Sequence, residues 1–133
     1  MKLLKYPIGI QTFADIINDG YVYVDKTEYV WSLVTRGKYY FLSRPRRFGK
    51  SLLISTLDAF FRGKKELFKG LYIYNQEWDW IEYPVFHLAL NGQDYSSVDK
   101  LDETLHNNME IWENLYELPA GSTAISVSTR FFN

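Results

Sequence analysis

The chain contains no cysteine, and this absence removes several classes of site at once. Disulfide bonds and thiolate-bound metal centres are excluded, because each of them needs cysteine sulfur. Histidine is almost as scarce, with two residues among 133, so a site built mainly from imidazole ligands is not expected.

Long hydrophobic runs and an excess of one charge are also missing. No apolar stretch approaches the ~18 residues of a membrane span, and residues 1–7 lack the apolar core of a signal peptide. We therefore expect a cytoplasmic protein without a membrane partner. The net charge of −1 gives no overall attraction to nucleic acid, although Arg44, Arg46, Arg47 and Lys50 form a local basic cluster.

The composition is that of a folded domain. Hydrophobic residues make up 47% of the chain, which excludes a disordered protein. At 133 residues the chain forms at most one domain. Aromatic residues reach 18%, and we interpret them as a Phe- and Tyr-rich core rather than as a base-stacking surface.

The most informative feature is the run Ser-Arg-Pro-Arg-Arg-Phe-Gly-Lys-Ser at residues 43–51. It follows an apolar run at 39–42 and precedes a helical pattern that begins at 52. A strand, a tight loop ending in Gly-Lys-Ser and a helix are the layout of a phosphate-binding P-loop. A helix N-terminus attracts phosphate because its first N–H groups are free and carry partial positive charge.

Each residue type in this predicted loop has a chemical role. Gly49 lets the backbone close on the phosphates, Lys50 reaches the β- and γ-oxygens as the catalytic residue, and Ser51 is the magnesium ligand. The residues predicted to bind the nucleotide are Ser43, Arg44, Pro45, Arg46, Arg47, Phe48, Gly49, Lys50, Ser51 and Leu52. The usual pattern has a glycine five residues before Gly49, where this chain has Arg44, so a plain strand-to-helix turn is the alternative.

Three further segments surround the loop in a fixed order. They are Tyr-Pro-Ile-Gly-Ile-Gln-Thr-Phe at 6–13, Gly-Tyr-Val-Tyr-Val-Asp-Lys-Thr at 20–27 and Gly-Lys-Lys-Glu-Leu-Phe-Lys-Gly-Leu at 63–71. Together with the loop they resemble the AAA-ATPase-like family of bacterial proteins, over about residues 5–132. That family shares the loop without its first glycine, and its members often carry a C-terminal nuclease domain of the restriction-endonuclease type.

Alternating sequence patterns predict alternating helices and strands. Helices are predicted at 11–18, 25–36, 51–62 and 96–116, with a helical turn at 64–68 and Ser96 as the cap of the last helix. Strands are predicted at 21–24, 38–43 and 83–90, the last two covered on both faces. This order predicts an α/β fold, a three-layer P-loop NTPase-type parallel sheet with flanking helices.

The predicted sheet is incomplete. A P-loop ATPase needs a later apolar strand ending in an acidic residue that holds magnesium and orients water, but the strand predicted at 83–90 is followed by Asn91 and Gly92. We therefore expect residues 1–133 to be the N-terminal part of a longer AAA-ATPase-like protein, with its nuclease domain absent. The unpaired edge of the strand at 38–43 would favour self-association.

The resemblance implies a protein that binds ATP and Mg²⁺ and, at full length, transfers a phosphoryl group to water, with nucleic acid as a partner of its nuclease domain. The alternative is a non-enzymatic interaction module whose basic loop 44–50 binds nucleic acid or a protein. Each of three further features has two possible interpretations. Residues 25–27 are a helix cap or part of a site, His87 is a core residue or a ligand, and residues 8–13 are an adenine contact or an ordinary apolar segment.

Overall fold

The structure is a computed structural model that describes residues 3–90 and 96–117. The described α-helices are α1 (Phe13–Asn18), α2 (Thr27–Arg36), α3 (Lys50–Phe61) and α4 (Val98–Leu115), and the 3₁₀-helices are η1 (Lys65–Phe68) and η2 (Tyr72–Asn75). The chain divides into two units, one ending at Val85 and the other beginning at Phe86. Each unit is described by itself.

The predicted α/β fold with a parallel sheet is wrong for the described residues, which contain no β-strand. The segments at 38–43 and 83–90, expected as buried strands, form no ladder with any other described segment. Their apolar composition was sufficient for a strand pattern, but a strand also needs a ladder of bonds to a partner backbone, and the described residues form none with them. The side chains of Tyr39 and Phe41 are exposed accordingly.

The segment at 21–24, also expected as a strand, is joined to another described segment by one isolated backbone bridge. Tyr21 forms an isolated parallel bridge with Lys5, and the N–H of Val22 donates to the Lys5 carbonyl at 2.8 Å. One bridge joins two chain segments without starting a sheet, because the residues on either side of it remain unpaired.

Aromatic side chains form the centre of the first unit. Phe13, Phe60 and Phe68 are fully buried, and Val30, Ala59 and Ile73 complete the buried cluster. The Phe60 ring lies 5.0 Å from the Trp78 ring and 5.2 Å from the Trp80 ring, between ring centroids. The expected Phe-rich core is therefore present, although part of the aromatic complement lies elsewhere, on the surface at 39–48.

Helix α1 is attached to α3 through one hydroxyl group. The N–H of Phe13 donates to Ser55 Oγ at 3.0 Å, and Ser55 Oγ lies within hydrogen-bond distance of the carbonyl oxygens of Gln11 and Leu52. This contact satisfies the first N–H of α1, which no residue of its own helix can accept. It also places the start of α1 beside the first half of α3.

The far end of α3 is enclosed by the chain that follows η2. Gly63 has a φ of +71°, and a Cβ at this position would lie 2.6 Å from the Trp80 carbonyl oxygen. The N–H of Tyr83 donates to the Phe61 carbonyl at 2.7 Å. Two features therefore require glycine at position 63: its left-handed backbone conformation and the close approach of residues 80–82.

The predicted helices are confirmed with small shifts of their ends. All four lie within two residues of the expected limits, and the turn expected at 64–68 is η1. In the second unit the cap of α4 is Ser97 rather than Ser96, since Ser97 Oγ accepts from the Lys100 N–H at 3.4 Å. The Phe86 ring packs on Trp112 at 5.0 Å between centroids, and Met109 is buried on the same helix.

Candidate functional site

The predicted phosphate loop is an exposed connection that ends at the first residue of α3. Gly49 is the N-cap of this helix, with φ +79° and ψ +16° in the left-handed region. A Cβ at Gly49 would meet no atom within 4 Å. Glycine is therefore favoured here by its backbone conformation rather than by crowding, and Arg47 adopts a similar left-handed φ of +64° in the turn before it.

Lys50 closes the loop. Its Nζ donates to the carbonyl oxygen of Arg44 at 2.8 Å, across six residues of chain. The ammonium group is therefore held against the loop backbone, in an exposed contact. A lysine in this position brings a full positive charge to the place where the helix has its partial positive charge.

The start of α3 offers unpaired hydrogen-bond donors. The first intrahelical bond is from the Leu53 N–H to the Gly49 carbonyl at 3.0 Å, so helix geometry leaves the N–H groups of Lys50, Ser51 and Leu52 without an intrahelical acceptor. The N-cap residue is glycine, so it has no side chain to cap these groups, and the first turn holds no acidic residue. These N–H groups can donate to the oxygens of a phosphate without displacing a cap.

The ten predicted binding residues do not all have the same part in this arrangement. Arg44, Gly49, Lys50 and Ser51 come together at the loop closure and the helix N-terminus. The Leu52 side chain instead packs against the hydrophobic core, so only its backbone N–H is available to a ligand. Ser43, Pro45, Arg46, Arg47 and Phe48 are exposed along the outer part of the loop.

Asp25 and Thr27 form a structural contact that joins the start of α2 to η2. Asp25 Oδ1 accepts from the Thr27 N–H at 2.9 Å and from Thr27 Oγ1 at 2.6 Å. Asp25 Oδ2 accepts from the Tyr72 N–H at 2.7 Å, and Thr27 Oγ1 accepts from the Ile73 N–H at 3.1 Å. The N-cap of α2 is Lys26, which makes no side-chain capping bond, rather than the expected Asp25. Asp25, one residue earlier, nevertheless accepts the first N–H of the helix, so residues 25–27 have a structural role at its start.

The pKa of Asp25 reflects these bonds. Partial burial acts to raise the pKa of this carboxyl, but the hydrogen bonds from the Thr27 side chain, the Thr27 backbone and the Tyr72 backbone together lower it below its ordinary value. A carboxylate whose oxygens already accept three hydrogen bonds has little capacity left for a metal or a substrate. Sequence reasoning missed the Tyr72 partner, which lies 47 residues away.

A cavity of about 610 Å³ lies elsewhere in the first unit. It is lined by α1, the second half of α3 and the turn that follows, including Asn18, Asp58 and Arg62. None of residues 43–52 contributes to it, so it is separate from the phosphate loop. Asp58 and Arg62 form an ion pair at its wall.

The described residues contain no cluster of three His, Asp or Glu side chains arranged to hold a metal ion. His87 is exposed, so its interpretation as a core histidine is wrong. Magnesium held with a nucleotide does not require such a cluster, since it takes one or two protein oxygens and completes its shell with phosphate and water. Exposed Ser51, in the first turn of α3, has the hydroxyl oxygen for that role.

Within residues 3–90 and 96–117, no helix has the length and apolar character that crossing a membrane requires.

Comparison with known proteins assigns the chain to a family. A family model described as a predicted AAA-ATPase matches residues 7–132, and the chain belongs to this AAA-ATPase-like family. It is similar to a curated protein of Azotobacter chroococcum mcd 1, described as an uncharacterized protein in the vnfD 5′ region, with 50% identity over 94 residues. That match covers 69% of this chain but 18% of the relative, so the chain spans less than a fifth of the relative's length. No solved structure matches the chain.

Proposed function

We propose that residues 43–52 bind the phosphate groups of ATP together with Mg²⁺. The observation that carries this proposal is the hydrogen bond of 2.8 Å from Lys50 Nζ to the Arg44 carbonyl. It holds a cation over a loop that ends in left-handed Gly49 at the start of a 12-residue helix. Membership of a family described as predicted AAA-ATPases supports the choice of ATP as the nucleotide.

The proposed contacts follow from the donors at the loop. The free N–H groups at the start of α3 donate to phosphate oxygens, and Lys50 exchanges the neutral Arg44 carbonyl for an anionic oxygen. This exchange is favourable because the ammonium group then pairs with an opposite full charge instead of the dipole of a neutral carbonyl. Ser51 Oγ is the proposed protein ligand for the magnesium ion. When bound, Mg²⁺-ATP supplies the transferable phosphoryl group and a divalent charge that neutralises the phosphates.

For the 133-residue chain the proposed activity is binding, whereas hydrolysis is proposed for the full-length protein. Hydrolysis requires a carboxylate that holds the metal or orients the attacking water. The nearest acids in sequence to the loop are Glu28 and Asp58. Asp58 is eight residues along α3 from Lys50, about 12 Å at the helical rise, and it already pairs with Arg62.

Calorimetric titration with Mg²⁺-ATP tests the proposal on three proteins. The wild-type chain should bind, and Lys50→Ala should bind at least tenfold more weakly because it removes the charged donor. The matched control is Lys69→Ala, which removes an exposed lysine far along the sequence from the loop and should bind like wild type. Equal affinity of wild type and Lys50→Ala would contradict the assignment, provided that both variants show the wild-type thermal transition.

A further inference from the structure

Positive charge is concentrated in one part of the chain. Between Glu28 and Asp58 there is no acidic residue, while six of the fifteen lysine and arginine residues fall there. Because the net charge of the whole chain is −1, the remainder of the chain carries a net negative charge. Among the described residues, Arg44, Arg46 and Arg47 form no ion pair, so their charges are available to an anionic partner.

Exposed aromatic side chains accompany these cations. Tyr39, Phe41 and Phe48 are 94%, 93% and 63% exposed, respectively. None of the three makes a ring contact within the part of the chain that the structure describes. Large aromatic faces without intramolecular neighbours are unusual on a surface, where scattered single apolar residues are the norm.

The segment that carries these rings is attached to α2 at one point. Tyr40 Oη donates to the Leu33 carbonyl at 2.7 Å, and a Cβ at Gly37 would lie 2.7 Å from this same hydroxyl. Gly37 therefore lets the Tyr40 ring fold back over the end of the helix. This bond anchors Tyr40 to the end of α2, while the neighbouring rings of Tyr39 and Phe41 are exposed.

We propose that residues 38–48 form a binding surface for single-stranded nucleic acid. Charge complementarity selects a polyanion, because the surface has arginines and a lysine and no acid. The exposed rings select unpaired bases, since base faces stack on aromatic side chains only when they are not enclosed in a duplex. The surface therefore combines the two elements that sequence-independent single-strand binding uses, cations for the backbone and aromatic platforms for the bases.

This inference goes beyond nucleotide binding and does not rest on it. ATP would be held at the loop closure by Lys50 and the N-terminus of α3, whereas bases would stack on the rings of Tyr39, Phe41 and Phe48. The two proposed sites share residues 43–48, which include Phe48 and the three arginines. Lys50 lies outside the segment 38–48, so Lys50→Ala should weaken ATP binding at least tenfold and weaken single-strand binding by the loss of one charge at most. The two proposals therefore fail separately.

Fluorescence anisotropy with a labelled oligothymidylate of about 20 nucleotides measures the binding, because thymidylate stays unpaired and stacks weakly with itself. The variant Tyr39→Ala/Phe41→Ala should bind about thirtyfold more weakly, which is the low end of the stacking effects seen for two bases. The matched control is Tyr6→Ala/Tyr29→Ala, which removes two tyrosines that are 76% and 68% exposed outside the segment. The control should bind like wild type.

A salt titration separates phosphate contacts from stacking. Replacing Arg46 by Ala and Arg47 by Gly, which suits the left-handed φ of +64°, should reduce the slope of log K against log salt by about 1.4 in magnitude. The aromatic double variant should leave this slope unchanged. Wild-type affinity in the aromatic variant, an equal loss in the tyrosine control, or equal affinity for a duplex of the same length would overturn the proposal. Concentration-dependent light scattering without oligonucleotide binding would also overturn it and assign the surface to a second copy of the chain.

Discussion

Asp25 and Tyr72 are 47 residues apart in sequence, and Asp25 Oδ2 accepts a hydrogen bond from the Tyr72 N–H at 2.7 Å. Through its other oxygen the same carboxylate also binds Thr27 at the start of α2. One short acidic side chain thus joins a helix to a distant 3₁₀-helix within the first unit. This contact gives a structural role to the acidic residue in the segment 20–27 that resembles the family.

Removing the Asp25 carboxylate should destabilise the first unit. Asp25→Ala deletes three hydrogen bonds, and we expect a loss of about 1–2 kcal/mol in the free energy of unfolding, because solvent can partly replace an exposed acceptor. Urea denaturation at neutral pH measures this loss. Asp15→Ala is the control, since Asp15 is exposed and no side-chain hydrogen bond is found for it. A change of the same size in both variants would contradict the role of Asp25.

The contribution of Asp25 should depend on pH. Its pKa in the folded chain lies below the ordinary value of 3.8, so the folded state binds the proton less tightly than the unfolded state does. The stabilisation is therefore present above about pH 4 and is lost as the pH falls through the folded value. In urea titrations the difference between wild type and Asp25→Asn should shrink as the pH is lowered below 4. A difference that grows as the pH falls would show that the pKa of Asp25 is raised, not lowered, in the folded chain.

Thr27 should be intolerant of an apolar substitution of equal size. It is fully buried, and its hydroxyl donates to Asp25 and accepts from the Ile73 N–H. Thr27→Val leaves that buried N–H without an acceptor, so we expect a loss of about 1–3 kcal/mol in stability. Thr27→Ser keeps the hydroxyl and should lose less. Thermal unfolding followed by circular dichroism ranks the stabilities of the two variants. A Thr27→Val variant at least as stable as Thr27→Ser would refute the argument.

Gly49 and Gly70 provide a matched pair for the loop. Both have left-handed backbones, with φ of +79° and +85°, and a Cβ at either position would meet no atom within 4 Å. Alanine should therefore strain each site by a similar amount, about 1–2 kcal/mol. Only Gly49→Ala should also weaken Mg²⁺-ATP binding, because it alters the backbone at the start of α3. Calorimetry on the pair distinguishes a loop-specific effect from general destabilisation, and equal weakening by both substitutions would argue against the phosphate loop.

The purified 133-residue chain should not hydrolyse ATP at an enzymatic rate. The described part of α3 and its preceding loop lacks a carboxylate beside Lys50, and the nearby cations cannot orient the attacking water as a base. Phosphate release from Mg²⁺-ATP should therefore remain at the level of Lys50→Ala. Turnover of about 1 per second or faster, an ordinary enzymatic rate, would show that a catalytic carboxylate lies within this chain.

The helices were predictable from the sequence because their determinants are local. Spacing of three and four residues between apolar positions gives the helical face, and Gly20, Gly37 and Gly63 mark where α1, α2 and α3 stop. Even here a one-residue error arose at α4, where two adjacent serines offer the same cap chemistry and only the geometry selects Ser97.

The strands were not predictable because pairing is a long-range property. Residues 38–43 have the composition of a buried strand, yet Tyr39 and Phe41 are exposed, and no backbone within residues 3–90 and 96–117 forms a ladder with them. The loop motif was evident from the order of its residues, whereas the bond from Lys50 to the Arg44 carbonyl depends on a lysine rotamer that no sequence pattern specifies. The hydrogen bond from the Tyr72 N–H to Asp25 could not be predicted either, because every residue except proline offers a backbone N–H donor.

The two ends of α3 differ in how firmly they are held, and this difference determines where the chain can move. At the far end, the Phe61 carbonyl accepts from the Tyr83 N–H, and the chain at Trp80 closes tightly over Gly63. At the near end, the loop is exposed and is closed mainly by a flexible lysine side chain. Amide hydrogen exchange should therefore slow along α3 from Ser51 toward Phe60, and the helix would act as a fixed support on which the loop alone adjusts.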